Sequence, residues 1–91
     1  MPTPGFVLLV RHREDADQAM RVGFTVTKKI GGAVVRNRLK RRLRALAREI
    51  VPTKGHPGSD YVMIGRPKGV EREFATLRAE LSDALDRLRQ K

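Results

Sequence analysis

Between Ala33 and about Ile50 the apolar residues Val35, Leu39, Leu43, Leu46 and Ile50 recur at spacings of four, four, three and four. Side chains three and four apart stack on one side of a helical turn, so the pattern predicts an amphipathic helix with this stripe facing a core. The residues between the apolar positions constrain the chain further. From Gln18 to Arg48 there are ten basic residues and no acid, with Asp17 and Glu49 the nearest carboxylates on either side. Arg36/Lys40, Lys40/Arg44, Arg44/Arg48 and Arg38/Arg42 are like-charged pairs four residues apart. Each such pair destabilises an isolated helix by roughly a few tenths of a kcal/mol. An ordinary solvated face mixes signs, whereas bound phosphates turn each of these repulsions into a contact.

Projected on a helix, Arg36, Lys40, Arg44 and Arg48 fall away from Leu39 and Leu46, joined by Asn37 and Arg41, while Arg38 and Arg42 lie near the opposite edge. Arginine outnumbers lysine here, which suits bidentate contacts to phosphate and stacking on bases. Asn37 adds an amide able to donate and accept at a base edge or a sugar hydroxyl. Gly31 and Gly32 precede the helix, with Lys28 and Lys29 beside them. The glycines fit equally a plain turn and a helix N-terminus open to an anion.

Around this helix the pattern reads β-β-α-β-α. Phe6 to Val10 is an unbroken apolar run that predicts a strand buried on both faces, and residues 13–19 are a polar connection. Arg21 to Thr27 alternates, with Val22, Phe24 and Val26 on one side. Pro52 and the segment through Gly58 are expected to break the basic helix. Ser59 to Gly65 reads as a short buried strand, and Arg66-Pro67-Lys68-Gly69 as a turn. Val70 to Gln90 carries Val70, Phe74, Leu77, Leu81, Leu85 and Leu88 on one stripe. Glu71 and Glu73 are placed in its first turn, with Arg87, Arg89 and Lys91 at its end, a polarity that complements the helix dipole. The expected class is α+β: a small sheet packed by two helices, in a single domain over residues 1–91.

The 91 residues carry a formal charge of +10, which calls for a polyanionic partner. Nucleic acid, an anionic membrane surface and an acidic protein all satisfy charge alone. With no cysteine, disulfides and thiolate metal sites are excluded. His12 and His56 read as isolated surface residues, Ser59 and Ser82 as serines with no histidine nearby, and Asp83 and Asp86 as solvated acids, so no active site carried by the protein is expected. No metal or cofactor motif is seen. The apolar run at Phe6–Val10 is too short to span a membrane, which points to a cytoplasmic protein.

The string RVGFTVTKKIGGAVVRNRLKRRLRALA, Arg21 to Ala47, closely resembles the signature of the ribonuclease P protein family. There a strand of the type R-x-G-x-x-V-[ST]-K-K runs into a helix carrying R-N-R-x-K-R. The segment SDYVMIGRPKG and the helix after it resemble that family's last strand and helix, so the likeness covers nearly the whole chain from Phe6 onward. It implies a protein that assists a catalytic RNA in removing the 5′ leader of precursor tRNA, with magnesium ions held by the RNA. Arg36, Asn37 and Arg38 would face the RNA subunit, Lys40, Arg41, Arg42 and Arg44 would extend that surface, Lys28 and Lys29 match the family's lysine pair, and Arg66 and Lys68 its basic turn. The implied partners are ribonuclease P RNA and precursor tRNA, with neither membrane nor DNA.

The resemblance also implies a left-handed crossover from the Arg21–Thr27 strand to the Tyr61 strand, against the usual right hand. Two departures stand out. Gly32 replaces the family's usual asparagine, giving a weaker helix cap. The family's opening amphipathic helix and first strand find no counterpart in the pattern, which reads as starting at about the second strand, so weaker leader recognition and an exposed sheet face are expected. The competing reading is another basic RNA-binding protein, such as a small ribosomal protein. A helix-turn-helix DNA binder is disfavoured because the basic helix follows a strand. A membrane-surface helix is disfavoured because Val35, Leu39 and Leu43 are needed in the core.

Overall fold

Residues 1–89 are described in a computed structural model, and their order is the expected β-β-α-β-α. Strands β1 (Phe6–His12), β2 (Arg21–Thr25) and β3 (Ser59–Gly65) form a mixed sheet in the order β1-β3-β2. Helix α1 (Ala33–Lys54) joins β2 to β3, and α2 (Phe74–Arg89) follows β3. Two short 3-10 turns, Lys28–Ile30 and Pro67–Gly69, lie after β2 and β3. Gln90 and Lys91, expected at the end of the last helix, lie outside the described residues.

Strand β3 takes the centre because its residues are apolar enough to be covered. It pairs antiparallel with β1, Phe6 opposite Gly65 and His12 opposite Ser59, and parallel with β2, Val22 opposite Tyr61 and Phe24 opposite Met63. Parallel neighbours need a crossover connection, and α1 supplies it. Period-two alternation puts Phe6, Leu8, Tyr61 and Met63 on one face. Leu39, Leu43, Leu46 and Ile50 of α1 and Leu77, Leu81 and Leu85 of α2 complete a single hydrophobic cluster with them. Both apolar stripes thus serve the core, except that Val35, expected on the α1 stripe, is only half-buried and lies outside the cluster.

Three expectations need correction. Strand β1 is not buried on both faces: Phe6 and Leu8 are buried, but Leu9 is 47% exposed. Both helices pack on the Phe6 and Leu8 face, and among the described residues no second layer covers Leu9 on the opposite face. Helix α1 does not stop before Pro52 but runs through it to Lys54. The proline sits in the last turn, where it removes one backbone donor. Gly55 N–H closes that turn on the Val51 carbonyl at 2.7 Å, and the Thr53 hydroxyl donates to the Ile50 carbonyl at 3.1 Å. Helix α2 begins at Phe74, so Glu71 and Glu73 precede it. The Glu73 carbonyl accepts from Thr76 and Leu77 N–H at 3.0 and 3.1 Å, which places it as the cap.

Residues 1–3 pair back antiparallel on β1: Leu8 N–H donates to the Met1 carbonyl at 2.9 Å, Thr3 N–H to the Phe6 carbonyl at 2.8 Å, and Pro2 bridges Val7. Pro2–Val7 is an isolated bridge, so residues 1–3 extend the edge of β1 without forming a strand of their own.

Candidate nucleic-acid interface

Because β2 and β3 are parallel, their C-terminal ends lie side by side, and the segments that leave them meet at one end of the sheet. Lys28 and Lys29 leave β2, Arg66 and Lys68 leave β3, and all four are exposed. The turn into α1 depends on Gly31, whose φ of 152° disfavours any side chain. A Cβ there would also come within 3.2 Å of Val35. Gly32 is the N-cap and makes no side-chain cap, as the missing asparagine implied, and the first turn of α1 holds no acid. The positive end of the helix dipole is therefore uncompensated, beside two lysines.

Along α1 the basic residues separate into two groups. Arg36 and Lys40 are half-buried, and Arg44 and Arg48 are exposed beyond them, on the side facing β2. They flank the core rather than opposing it, because a long stem can cover apolar surface while its charge stays in water. Asn37, Arg38 and Arg41 are exposed on the outer face. Of the cations from Arg36 to Arg48, only Arg38 has a carboxylate within reach among the described residues, Glu71 at 3.7 Å.

Two of the expected RNA-binding residues also hold the fold together. Arg42 donates to the Arg72 carbonyl, and its guanidinium lies 5.9 Å from the Phe74 ring, which Arg78 approaches at 5.2 Å. It ties α1 to the start of α2 rather than standing free. Arg66 is exposed, yet it donates to the Thr3 carbonyl at 2.9 Å. Its neighbour Lys68 has no ion-pair partner among the described residues.

At the other end of the sheet lies a cluster that composition does not reveal. The Arg13 side chain is only 7% exposed. It donates to Asp60 at 2.5 Å and to the carbonyls of Asp17 and Ala19 at 3.0 and 2.6 Å. Arg21 reaches the same Asp60 oxygen at 2.9 Å. Burial would raise the Asp60 carboxyl, but the hydrogen bonds from Arg13 and Arg21 outweigh it and hold the group below its ordinary value.

His12 and His56, expected to be isolated, have ring centroids 5.2 Å apart in an edge-to-face arrangement. His12 Nδ1 lies 2.7 Å from Ser59 Oγ, so the serine expected to lack a histidine has one. The β1–β3 register explains it, because His12 is directly opposite Ser59. Ser59 is fully buried and out of reach of a substrate, so the pair is a structural hydrogen bond. Among the described residues no three His, Asp or Glu side chains gather as metal ligands, and no helix is long and apolar enough to cross a membrane.

Fold and surface together define a class: a small α+β domain whose main cationic surface without carboxylate partners among the described residues is one helix with the loops at its foot. The comparisons with known proteins narrow this. The model of the family Ribonuclease P matches residues 1–89. The ribonuclease P protein component of Erythrobacter litoralis is 53% identical over 87 residues, covering 96% of this chain and 70% of that protein. That of Caulobacter vibrioides is 53% identical over 76 residues, and the chain covers 51% of its length. The solved ribonuclease P protein of Thermotoga maritima superposes with a TM-score of 0.76 at 33% identity, over 96% of this chain and 80% of that one. The chain belongs to the ribonuclease P protein family.

Proposed function

We propose that the chain is the RNA-binding subunit of ribonuclease P and works in the cytoplasm on precursor tRNA. Its partners are the ribonuclease P RNA, which performs the hydrolysis, and the 5′ leader that is removed. The observation that carries this reading is the run of cations on α1 with almost no carboxylate beside it, joined at its N-terminal end by Lys28, Lys29 and Lys68. Such a surface repels itself until phosphates occupy it. Asn37, Arg38 and Arg41 are the outward group we assign to the RNA subunit, with Arg36, Lys40 and Arg44 continuing the surface toward β2. Arg42 and Arg66 contribute mainly by fixing that surface. We assign the magnesium ions to the RNA subunit, as the family resemblance implies.

The test is reconstitution. A bacterial ribonuclease P RNA and a precursor tRNA are incubated at low magnesium with and without the protein, and leader release is followed. Cleavage that requires both protein and RNA supports the proposal. Protein that binds ribosomal RNA equally well and leaves cleavage unchanged would point to a ribosomal-type RNA binder instead.

A further inference from the structure

The C-terminal half of α1 meets the free edge of β2 in a groove of about 430 Å³. Met20, Val22, Phe24 and Val51 form its apolar walls, and Arg44 and Arg48 are its only charged lining residues. The Arg44 guanidinium lies 6.0 Å from the centroid of the half-buried Phe24 ring. Neither arginine has a carboxylate partner among the described residues.

This combination narrows the occupant. The apolar walls and the aromatic ring favour a flat group that stacks, and the two unpaired cations favour an anion held at its edge. A nucleotide with an unpaired base supplies both. A base-paired one does not, because its faces are already covered within the duplex. The groove is also continuous with the rest of the basic surface: Arg48 lies about 18 Å along α1 from Arg36, at 1.5 Å per residue. A strand whose phosphates follow Arg36, Lys40 and Arg44 would be delivered to it.

We propose that this groove is a subsite for one unpaired nucleotide of bound RNA, with its base against Phe24 and its phosphate between Arg44 and Arg48. The proposal rests on the RNA-binding reading above and adds Met20, Val22, Phe24 and Arg48 to the contact surface.

The test uses Phe24→Leu, which keeps an apolar side chain but removes the ring face, and Phe24→Tyr, which keeps the face. Affinity is measured in two arms, for ribonuclease P RNA alone and for that RNA already holding precursor tRNA. Loss of one stacked base weakens binding about tenfold. Phe24→Leu is expected to show that loss in one arm and Phe24→Tyr to bind within about twofold of the parent. The arm affected tells whether the nucleotide belongs to the RNA subunit or to the substrate.

Because the chain has no cysteine, Pro52→Cys at the groove's rim provides a unique attachment point for a photoreactive aryl azide, independent of how well Phe24→Leu folds. Crosslinks to an unpaired nucleotide support the subsite. Crosslinks confined to paired nucleotides or to protein, or none, overturn it while RNA affinity persists and the reading of α1 stands. If the parent chain binds neither RNA, both fall.

Discussion

Arg13 shows how one side chain organises a segment with no regular structure. The connection from residue 13 to residue 20 has almost no apolar residue to anchor it, yet its carbonyls at Asp17 and Ala19 both receive hydrogen bonds from Arg13. Asp60 on the central strand neutralises that guanidinium and also holds Arg21 at the start of β2. Because folding lowers the Asp60 pKa, its contribution to stability is present in full above the ordinary carboxylate value, about 3.9. It is lost as pH falls through the folded value. The urea midpoint of the parent should therefore fall more steeply below about pH 4 than that of Asp60→Asn, which starts lower at neutral pH. Parallel curves for the two proteins would remove Asp60 from this role. Nothing in the spacing of Arg13, Arg21 and Asp60 announces the cluster. It exists because the register of β3 with both neighbours puts Asp60 opposite Arg11 and Arg21.

At the scale of elements, α1 carries two patterns at once, and both are visible in the sequence. Leu39, Leu43, Leu46 and Ile50 give its buried face, and the cations give the rest. Its ends are less legible. The sequence rule that proline ends a helix fails at Pro52 because it sits in the exposed last turn, where it removes a single ladder bond and the turn still closes through Gly55 N–H on the Val51 carbonyl. The expected start of α2 at Val70 fails because apolar periodicity continues through the turn that precedes the helix. Arg42 and Phe74 illustrate the limit for the site. Periodicity places Arg42 at the edge of α1, but only the packing of α2 shows that its guanidinium is spoken for.

The start of α1 was legible, weak cap included, and it carries its own prediction. Gly32 is extended, makes no cap, and has open space where a Cβ would stand. Gly32→Asn should let a side-chain oxygen accept from the first turn and stabilise the fold by about a few tenths of a kcal/mol. For a domain of this size that is about 1–2 °C in thermal midpoint. An unchanged or lower midpoint would mean that the turn after Gly31 cannot present the amide.

For the molecule as a whole, the decisive property is how its charge is distributed. Twenty Lys and Arg face ten Asp and Glu, and the acids that form ion pairs sit mostly away from the α1 face: Asp60 at the far end of the sheet, Asp86 on Lys54, Glu49 on Arg78 and Glu80 on Arg72. Internal pairing thus leaves the cations of α1 and of the loops at its foot as the main source of excess charge. Binding of RNA through that surface must release counterions. For roughly six neutralised phosphates, the logarithm of affinity should fall against the logarithm of salt with a slope of about −4 to −5. Replacing both Arg36 and Arg38 with Ala should weaken binding and flatten the slope by about two if each contacts one phosphate. Arg38 tests the geometry more sharply than Arg36, because Glu71 at 3.7 Å already satisfies part of its charge. If that ion pair competes with RNA, Glu71→Gln should strengthen binding at low salt and steepen the slope, whereas an unchanged slope would place Arg38 outside the phosphate path.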